Sequence, residues 1–157
     1  MQSIRLALAA FGLCVVGAPA ALAQQSTAFT DAMLLIAQPC IENPTIDVCT
    51  KADRDIIARA AQEPTLQPGN EQNVYRTMRS FITINIGVEM GKADGARSQR
   101  SCLQMEQAWM EASRIQPSYS PNRAAEMTSI RDSALAMVRK CREEFGAQSP
   151  WTPLPAG

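Results

Sequence analysis

The chain contains no histidine at any position. Imidazole is the commonest general base of enzymes and the commonest side-chain ligand of metal ions, so every catalytic triad that contains it is excluded. A cysteine nucleophile would lack its usual histidine partner as well. We therefore predict that the protein is not an enzyme and has no catalytic, metal-binding or cofactor-binding residues.

The local motifs of serine and phosphate chemistry are missing too. No serine lies in a Gly-x-Ser-x-Gly elbow, and none has a lysine three positions later. The segment Gly87–Lys92 falls short of a phosphate loop, because its glycines are one residue too close and Ala93 replaces the required Ser or Thr.

Two pairs of acidic residues lie too close in the chain to share a helix face, because facing residues are three or four positions apart. They are Asp53 with Asp55 and Glu143 with Glu144. We interpret all four as solvated surface. A hydrolase that uses carboxylates brought together only by folding is an alternative, and it requires a pocket that gathers two or more acids.

The chain has no excess of charge of either sign, since 15 Lys and Arg residues balance 15 Asp and Glu residues. No basic surface is therefore expected to attract nucleic acid or anionic lipid. Aromatic residues make up only 5% of the chain, which argues against a base-stacking platform. Two aromatics in predicted loop or tail positions, Tyr119 and Trp151, are candidate contacts with a partner protein.

The first 23 residues have the three parts of a secretory signal peptide. Arg5 supplies the charged start, an apolar stretch follows, and Ala21-Leu22-Ala23 is a cleavage motif. We predict cleavage after Ala23 and a periplasmic or secreted protein that begins at Gln24. An uncleaved anchor is the alternative, because residues 6–23 are just long enough to span a bilayer. No later segment is apolar enough to do so.

Four cysteines follow the predicted signal, at Cys40, Cys49, Cys102 and Cys141. An even number in a small exported chain is typical of a disulfide framework. Three pairings are possible, and the short segment between Cys40 and Cys49 favours joining those two, which leaves Cys102 for Cys141. The spacings match neither a redox Cys-x-x-Cys motif nor the paired cysteines of a zinc site.

Apolar periodicity predicts an all-α fold. We expect a compact bundle of four to five helices over residues 24–147, stapled by the two disulfides. A flexible Pro-rich tail is predicted at 148–157.

The limits of the first two helices follow from capping and breaking residues. The first is expected to begin at Ser26 or Thr27 and to end at Pro39. After an irregular link between the first two cysteines, the second is expected to begin with a capping box at Thr50 and Asp53. Four of its residues are expected to face the core: Ile56, Ile57, Ala60 and Ala61.

Residues 81–90 carry two conflicting patterns. Ile82, Ile84 and Ile86 alternate with polar residues as they would in a strand. A helical stripe runs through the same region: Val74, Met78, Phe81, Asn85 and Val88. We predict a helix, because a lone strand would leave its backbone groups unpaired and the chain has no second alternating run.

Three glycines, Gly87, Gly91 and Gly95, recur at intervals of four residues. We expect the third helix to fray into a loop there, because glycine weakens helices. The alternative is that the small residues allow another helix to approach closely.

The last two helices are expected at about 98–115 and from Pro121 onward, with Ser120 as the N-cap of the second. The short turn between them predicts an antiparallel pair. Met105 and Trp109 lie on the apolar stripe of the fourth helix, which favours core packing over ligand contact.

Together these features favour an exported, non-catalytic binding or interaction module of the inhibitor or accessory-subunit type. Its expected partner is another periplasmic protein, and the sequence leaves the oligomeric state open. A periplasmic stress chaperone is one alternative, and the carboxylate hydrolase is the other.

Overall fold

The computed structural model describes residues 18–63, 69–147 and 154, with side chains from residue 28 onward. Within these ranges there are five α-helices, two short 3-10 turns and no strand, which confirms the all-α fold. The helices are α1 (Ala18–Glu42), α2 (Ile46–Ala61), α3 (Asn70–Ala93), α4 (Gln99–Ala112) and α5 (Ala124–Phe145). The 3-10 turns are Pro117–Tyr119 and Pro121–Arg123.

Helix α3 is the centre of the bundle and packs against the other four helices. The α1–α2 hairpin covers one side of it, and the α4–α5 hairpin covers the other. Ile82, Ile84 and Ile86 are all buried, although Ile84 points to a different side of the helix from Ile82 and Ile86, which share one face. The two conflicting patterns of residues 81–90 therefore have one cause, which is a helix with apolar neighbours on several sides.

Pro39 does not end the first helix, contrary to the sequence prediction. Helix α1 continues to Glu42, and the backbone N–H of Asn43 still donates to the carbonyl of Pro39 at 3.0 Å. The missing proline N–H would have bonded to the carbonyl of Leu35. Leu35 is 71% exposed, so that side of the helix faces water, which can hydrate the carbonyl.

Helix α2 begins five residues earlier than predicted, because the link after α1 is only three residues long. Thr45 is the N-cap, and its hydroxyl accepts a hydrogen bond from the backbone N–H of Val48. Asp47 in the first turn also suits the positive end of the helix dipole. The predicted capping residues Thr50 and Asp53 thus lie inside the helix.

The core face of α2 is narrower than predicted. Ile56 and Ala60 are buried, whereas Ile57 and Ala61 are exposed. An isolated exposed apolar side chain is common on soluble proteins.

Both favoured disulfides are present. Cys40 and Cys49 join the last turn of α1 to the first turn of α2, with their Cα atoms 4.8 Å apart. Cys102 and Cys141 join the start of α4 to the end of α5, with a Cα–Cα distance of 5.4 Å. All four cysteines are buried, so each bridge belongs to the core of its own hairpin.

The α4–α5 connection differs in one detail from the prediction. Ser120 and Pro121 begin the second 3-10 turn, and α5 starts only at Ala124. The Ser120 hydroxyl donates to Asn70 Oδ1 at 2.6 Å instead of capping a helix. Met105 and Trp109 are buried, as their position on the α4 stripe predicts.

Three sequence predictions lie wholly or mostly outside the described residues. They concern the start of the signal peptide, Trp151 and the tail at 148–157. Within that tail only Leu154 is described, and it is half-buried against the core. Among the described residues, no helix is long and apolar enough to cross a membrane.

Candidate functional site

A groove of about 590 Å³ lies where the C-terminal part of α3, the N-terminal part of α4 and the C-terminal part of α5 meet. Its lining is apolar and basic. The apolar or small lining residues are Gly87, Val88, Gly91, Gly95, Ala96, Met105, Met137 and Cys141. The polar lining residues are Lys92, Arg97, Ser101 and Lys140.

Two of the three glycines explain why the groove exists. A Cβ atom at Gly87 would lie 2.6 Å from the Met105 methyl carbon and 3.0 Å from the Ser101 carbonyl oxygen. A Cβ would push the Met105 methyl group aside and require the Ser101 carbonyl to shift by a few tenths of an ångström, so glycine favours this close approach of α4 to α3. At Gly91, one turn further along the helix, the nearest such contact is 3.6 Å, an ordinary van der Waals distance, so a Cβ would fit there.

The expectation that the helix frays at these glycines is therefore wrong. Helix α3 continues to Ala93, and the close-approach alternative holds at Gly87. Gly95 has a different role: it lies in the following turn with a φ of +72°, a conformation that favours glycine.

The wall of the groove is held by buried polar and covalent links between α4 and α5. Arg142 donates two hydrogen bonds to the buried carboxylate of Glu106, one of them 2.6 Å long. These bonds raise the pKa of Arg142 above its ordinary value, although partial burial opposes the charge. The disulfide from Cys141 to Cys102 joins the same two helices.

The basic side chains of the groove differ in how far they are neutralised. Lys92 Nζ lies 2.6 Å from Glu89 Oε1, and Arg97 Nη1 lies 2.7 Å from Glu144 Oε2. Lys140 has no ion pair among the described residues. Neither glutamate lines the groove, so the charge that faces its interior is positive.

No protein-family model, curated protein sequence or solved structure matches this chain.

A second, more open hollow of about 510 Å³ lies on the other side of the α3 terminus. Its lining includes the carboxylates of Asp47 and Glu89 together with Lys92. Glu89 is bound to Lys92, and Asp47 lies in the first turn of α2. Among the described residues, no group of three or more His, Cys, Asp or Glu side chains could hold a metal ion.

The two acids of the first pair, Asp53 and Asp55, lie in different environments. Asp53 is half-buried and accepts a hydrogen bond of 3.0 Å from Arg79, which also bonds to Glu111 at 2.5 Å. The prediction that Asp53 lies on a solvated surface was wrong. Folding brings Arg79 of α3 to this carboxylate, and Arg79 also binds Glu111 of α4. Asp55 pairs with Lys51 on the exposed side of α2.

Arg79 links the two sides of the bundle, because its partners lie on α2 and α4. Burial opposes its charge, but Asp53, Glu111 and the nearby Tyr75 outweigh that effect and raise the pKa of Arg79. The guanidinium also lies 5.7 Å from the centre of the Tyr75 ring. This network is structural, since all of its groups are bound to one another.

Tyr119, the predicted partner contact, lies at the opposite end of α3 from the groove. It is 54% exposed, and one edge of its ring packs over Gly69. Its loop is fixed to α3 by Asn73, which donates to the carbonyl of Gln116 at 2.5 Å and accepts from its N–H at 3.0 Å. Arg76 adds a bond of 2.8 Å to the carbonyl of Arg114.

Sequence reasoning missed the three basic residues of the groove. Lys92 and Arg97 are close in the chain, but Lys140 is more than forty residues further on, and only the α4–α5 hairpin returns it to the site. The glycine spacing was the available signal, because small residues four apart mark a place where helices can meet closely.

Proposed function

We propose that this protein is an exported, non-catalytic binding module that holds a small ligand in the groove between α3, α4 and α5. The observation that carries the proposal is a preformed groove with an apolar floor and basic walls. Its volume of about 590 Å³ lies in the range of small-molecule sites. Its lining contains no carboxylate, which suits binding better than acid–base chemistry.

The fixed geometry of the walls supports this function. Gly87 brings α4 into contact with α3, and the bridge between Cys102 and Cys141 fixes α5 against α4. A site that exists before the ligand arrives loses less conformational entropy on binding.

The test uses N-phenyl-1-naphthylamine, a neutral apolar dye that fluoresces when it leaves water. We expect the mature chain to bind it saturably. Gly91→Leu places an isobutyl group in the groove and should weaken binding by about tenfold or more. Gly91→Ala is the matched control, because its Cβ would meet neighbours only at 3.6 Å or beyond and leaves most of the groove open.

Circular dichroism and thermal unfolding must show that both variants remain folded. Equal dye binding by Gly91→Leu and the unmodified chain would place the dye elsewhere and refute the groove as the ligand site. Loss of binding in Gly91→Ala as well would mean that the α3–α4 contact, and not the free space, is what matters.

Export is part of the proposal and has its own measurement. The signal-like layout of residues 1–23 supports it, as do two disulfides of the kind that persist in oxidising compartments. Mass spectrometry of the protein recovered from the periplasm should show a chain that begins at Gln24. An intact Met1 in the membrane fraction would instead indicate an uncleaved anchor.

A protein partner at the other end of the bundle is a second candidate function. The observation that favours it is the exposed Tyr119 ring, presented by a loop that Asn73 and Arg76 fix to α3. A photocrosslinking residue at position 119 should trap one discrete partner in the periplasm. The same residue at position 57, another exposed apolar site, is the control and should not trap it.

A further inference from the structure

We propose that the ligand of the groove is a small amphipathic anion, free in solution, with one carboxylate, sulfonate or phosphate held by Lys140. This inference rests on the proposed function, since it names the chemistry of the occupant of the same groove. It predicts that an anionic ligand binds more tightly than a neutral ligand of equal apolar size, which a purely apolar groove would not show.

The charge of the groove is the first argument. Three cations line it, and no Asp or Glu does. The acids that bind Lys92 and Arg97 approach these residues from outside the lining. Lys140 has no ion pair among the described residues, so it is the cation most available to a ligand.

The turn that borders the groove does not cancel this charge. Asp94 accepts hydrogen bonds from Arg100 and from the Ser98 hydroxyl, and none of the three residues lines the groove. The carboxylate and the guanidinium therefore neutralise each other at the start of α4. The net positive charge of the groove thus depends on Lys140.

The floor of the groove is the second argument. Met105 and Met137 lie on it beside Val88 and the bare backbone of Gly91. Methionine is flexible and polarisable, so it adapts to apolar groups of different shapes. An apolar floor next to one available cation fits a ligand with a hydrocarbon body and an anionic end.

The experiment compares three compounds that share a ten-carbon chain and differ only in head group. Decanoate, decanol and decyltrimethylammonium are titrated against bound N-phenyl-1-naphthylamine, each below its micelle concentration. We expect decanoate to displace the dye at a concentration about fivefold to tenfold lower than decanol, since a charged hydrogen bond to a surface lysine has about that effect. The cationic compound should be the weakest, and added salt should reduce the difference.

Substitutions at position 140 assign the preference to one side chain. Lys140→Gln should bring decanoate and decanol to within about twofold of each other, and Lys140→Arg should keep the preference. Lys51→Gln is the matched control, because Lys51 is an exposed lysine on α2 away from the groove. A preference for decanoate that survives Lys140→Gln would overturn the assignment.

A further arm separates a free anion from a membrane lipid. The mature chain is sedimented with phosphatidylglycerol vesicles, and we expect it to stay in the supernatant. Cosedimentation that Lys140→Gln abolishes would overturn the proposal of a free ligand and identify a lipid head group instead.

The two proposals fail in different ways. Absence of groove-dependent dye binding refutes the proposed function. Dye binding that Gly91→Leu blocks, followed by equal displacement by all three compounds, leaves the binding function intact and refutes only the anion.

Discussion

The two sides of α3 are built on different principles. The α1–α2 side is local, since its disulfide closes a loop of 9 residues across one short turn. The α4–α5 side is non-local, since its disulfide spans 39 residues and its ion pair joins positions 106 and 142. The groove lies on the non-local side, and its floor is shared with the central helix.

The two hairpins also differ in the number and kind of links that hold their helices in place. The helices of the α1–α2 hairpin are held by a nearby bridge, and the exposed apolar residues Leu35, Ile41 and Ile57 lie on them. The α4–α5 hairpin combines a bridge, a buried ion pair and a glycine contact around one concave surface. Rigid surroundings are what a preformed binding site needs.

The largest predicted effect is the removal of the long-range disulfide. Replacing Cys102 and Cys141 by alanine should lower the free energy of unfolding by about 4 kcal/mol, and replacing Cys40 and Cys49 by about 2.5 kcal/mol. The longer loop restricts the unfolded chain more, which is the physical reason for the order. Urea unfolding of both double variants measures it, and an equal or reversed order would contradict the chain-entropy explanation.

The next effect concerns the buried ion pair between α4 and α5. Glu106→Ala leaves the half-buried guanidinium of Arg142 without its carboxylate and should cost about 3 kcal/mol of unfolding free energy. Asp55→Ala breaks an exposed pair with Lys51 on the other side of α3 and should cost less than about 0.5 kcal/mol.

Chemical denaturation of both variants sharpens the comparison. Replacing both partners, with Glu106→Leu and Arg142→Met, should recover part of the loss, because an apolar pair needs no counterion. Similar costs for Glu106→Ala and Asp55→Ala would mean that the inner pair is hydrated in solution.

Two glycines one turn apart give opposite predictions. Gly87→Ala should lower the unfolding free energy by about 1 kcal/mol, because the clash with the Ser101 backbone exceeds the gain in helix propensity. Gly91→Ala should raise it by about 0.5 kcal/mol, because its Cβ meets only ordinary contacts. Thermal unfolding of the two variants measures both changes in stability. Stabilisation by both substitutions would mean that α4 moves away from α3 at little cost.

Much of the fold could be predicted from the sequence, because its signals are local. The disulfide pairing follows from the short distance between Cys40 and Cys49, and the α3 prediction follows from the lack of a pairing strand. Predictions from local sequence patterns failed where the surroundings of a residue decide whether the helix continues. Pro39 is tolerated because its side of α1 faces water, and Gly87 remains helical because α4 packs onto it.

The candidate site was largely beyond prediction from sequence. Periodicity identified the face of α4 that holds Met105, but it could not place Lys140 beside it, because that requires the relative register of two hairpins. Asp53 shows the same limit: its partners Arg79 and Glu111 come from two other helices. Tyr119 was correctly placed in an exposed position, since a proline-rich turn exposes its central residue.

The smallest predicted effect lies in the exposed turn between α3 and α4. Arg100 donates hydrogen bonds to Asp94, and Ser98 donates another, so they lower the pKa of this carboxyl below its ordinary value of 3.8. Because the folded pKa is the lower one, the associated stability is present above pH 3.8 and is lost as the pH falls through the folded value. At the surface water and salt screen the pair, so stability between pH 5 and pH 8 should not change measurably.

Carboxyl-detected NMR titration of Asp94 measures this pKa directly. Arg100→Gln should move it back toward 3.8, whereas Lys51→Gln, on the opposite side of α3, should leave it unchanged. If the pKa of Asp94 in the unmodified chain were already 3.8 or higher, the Arg100 pair would be absent in solution. The turn beside the groove would then lack one of its polar links, while the bridge from Cys102 and the buried Glu106 still held α4 to α5.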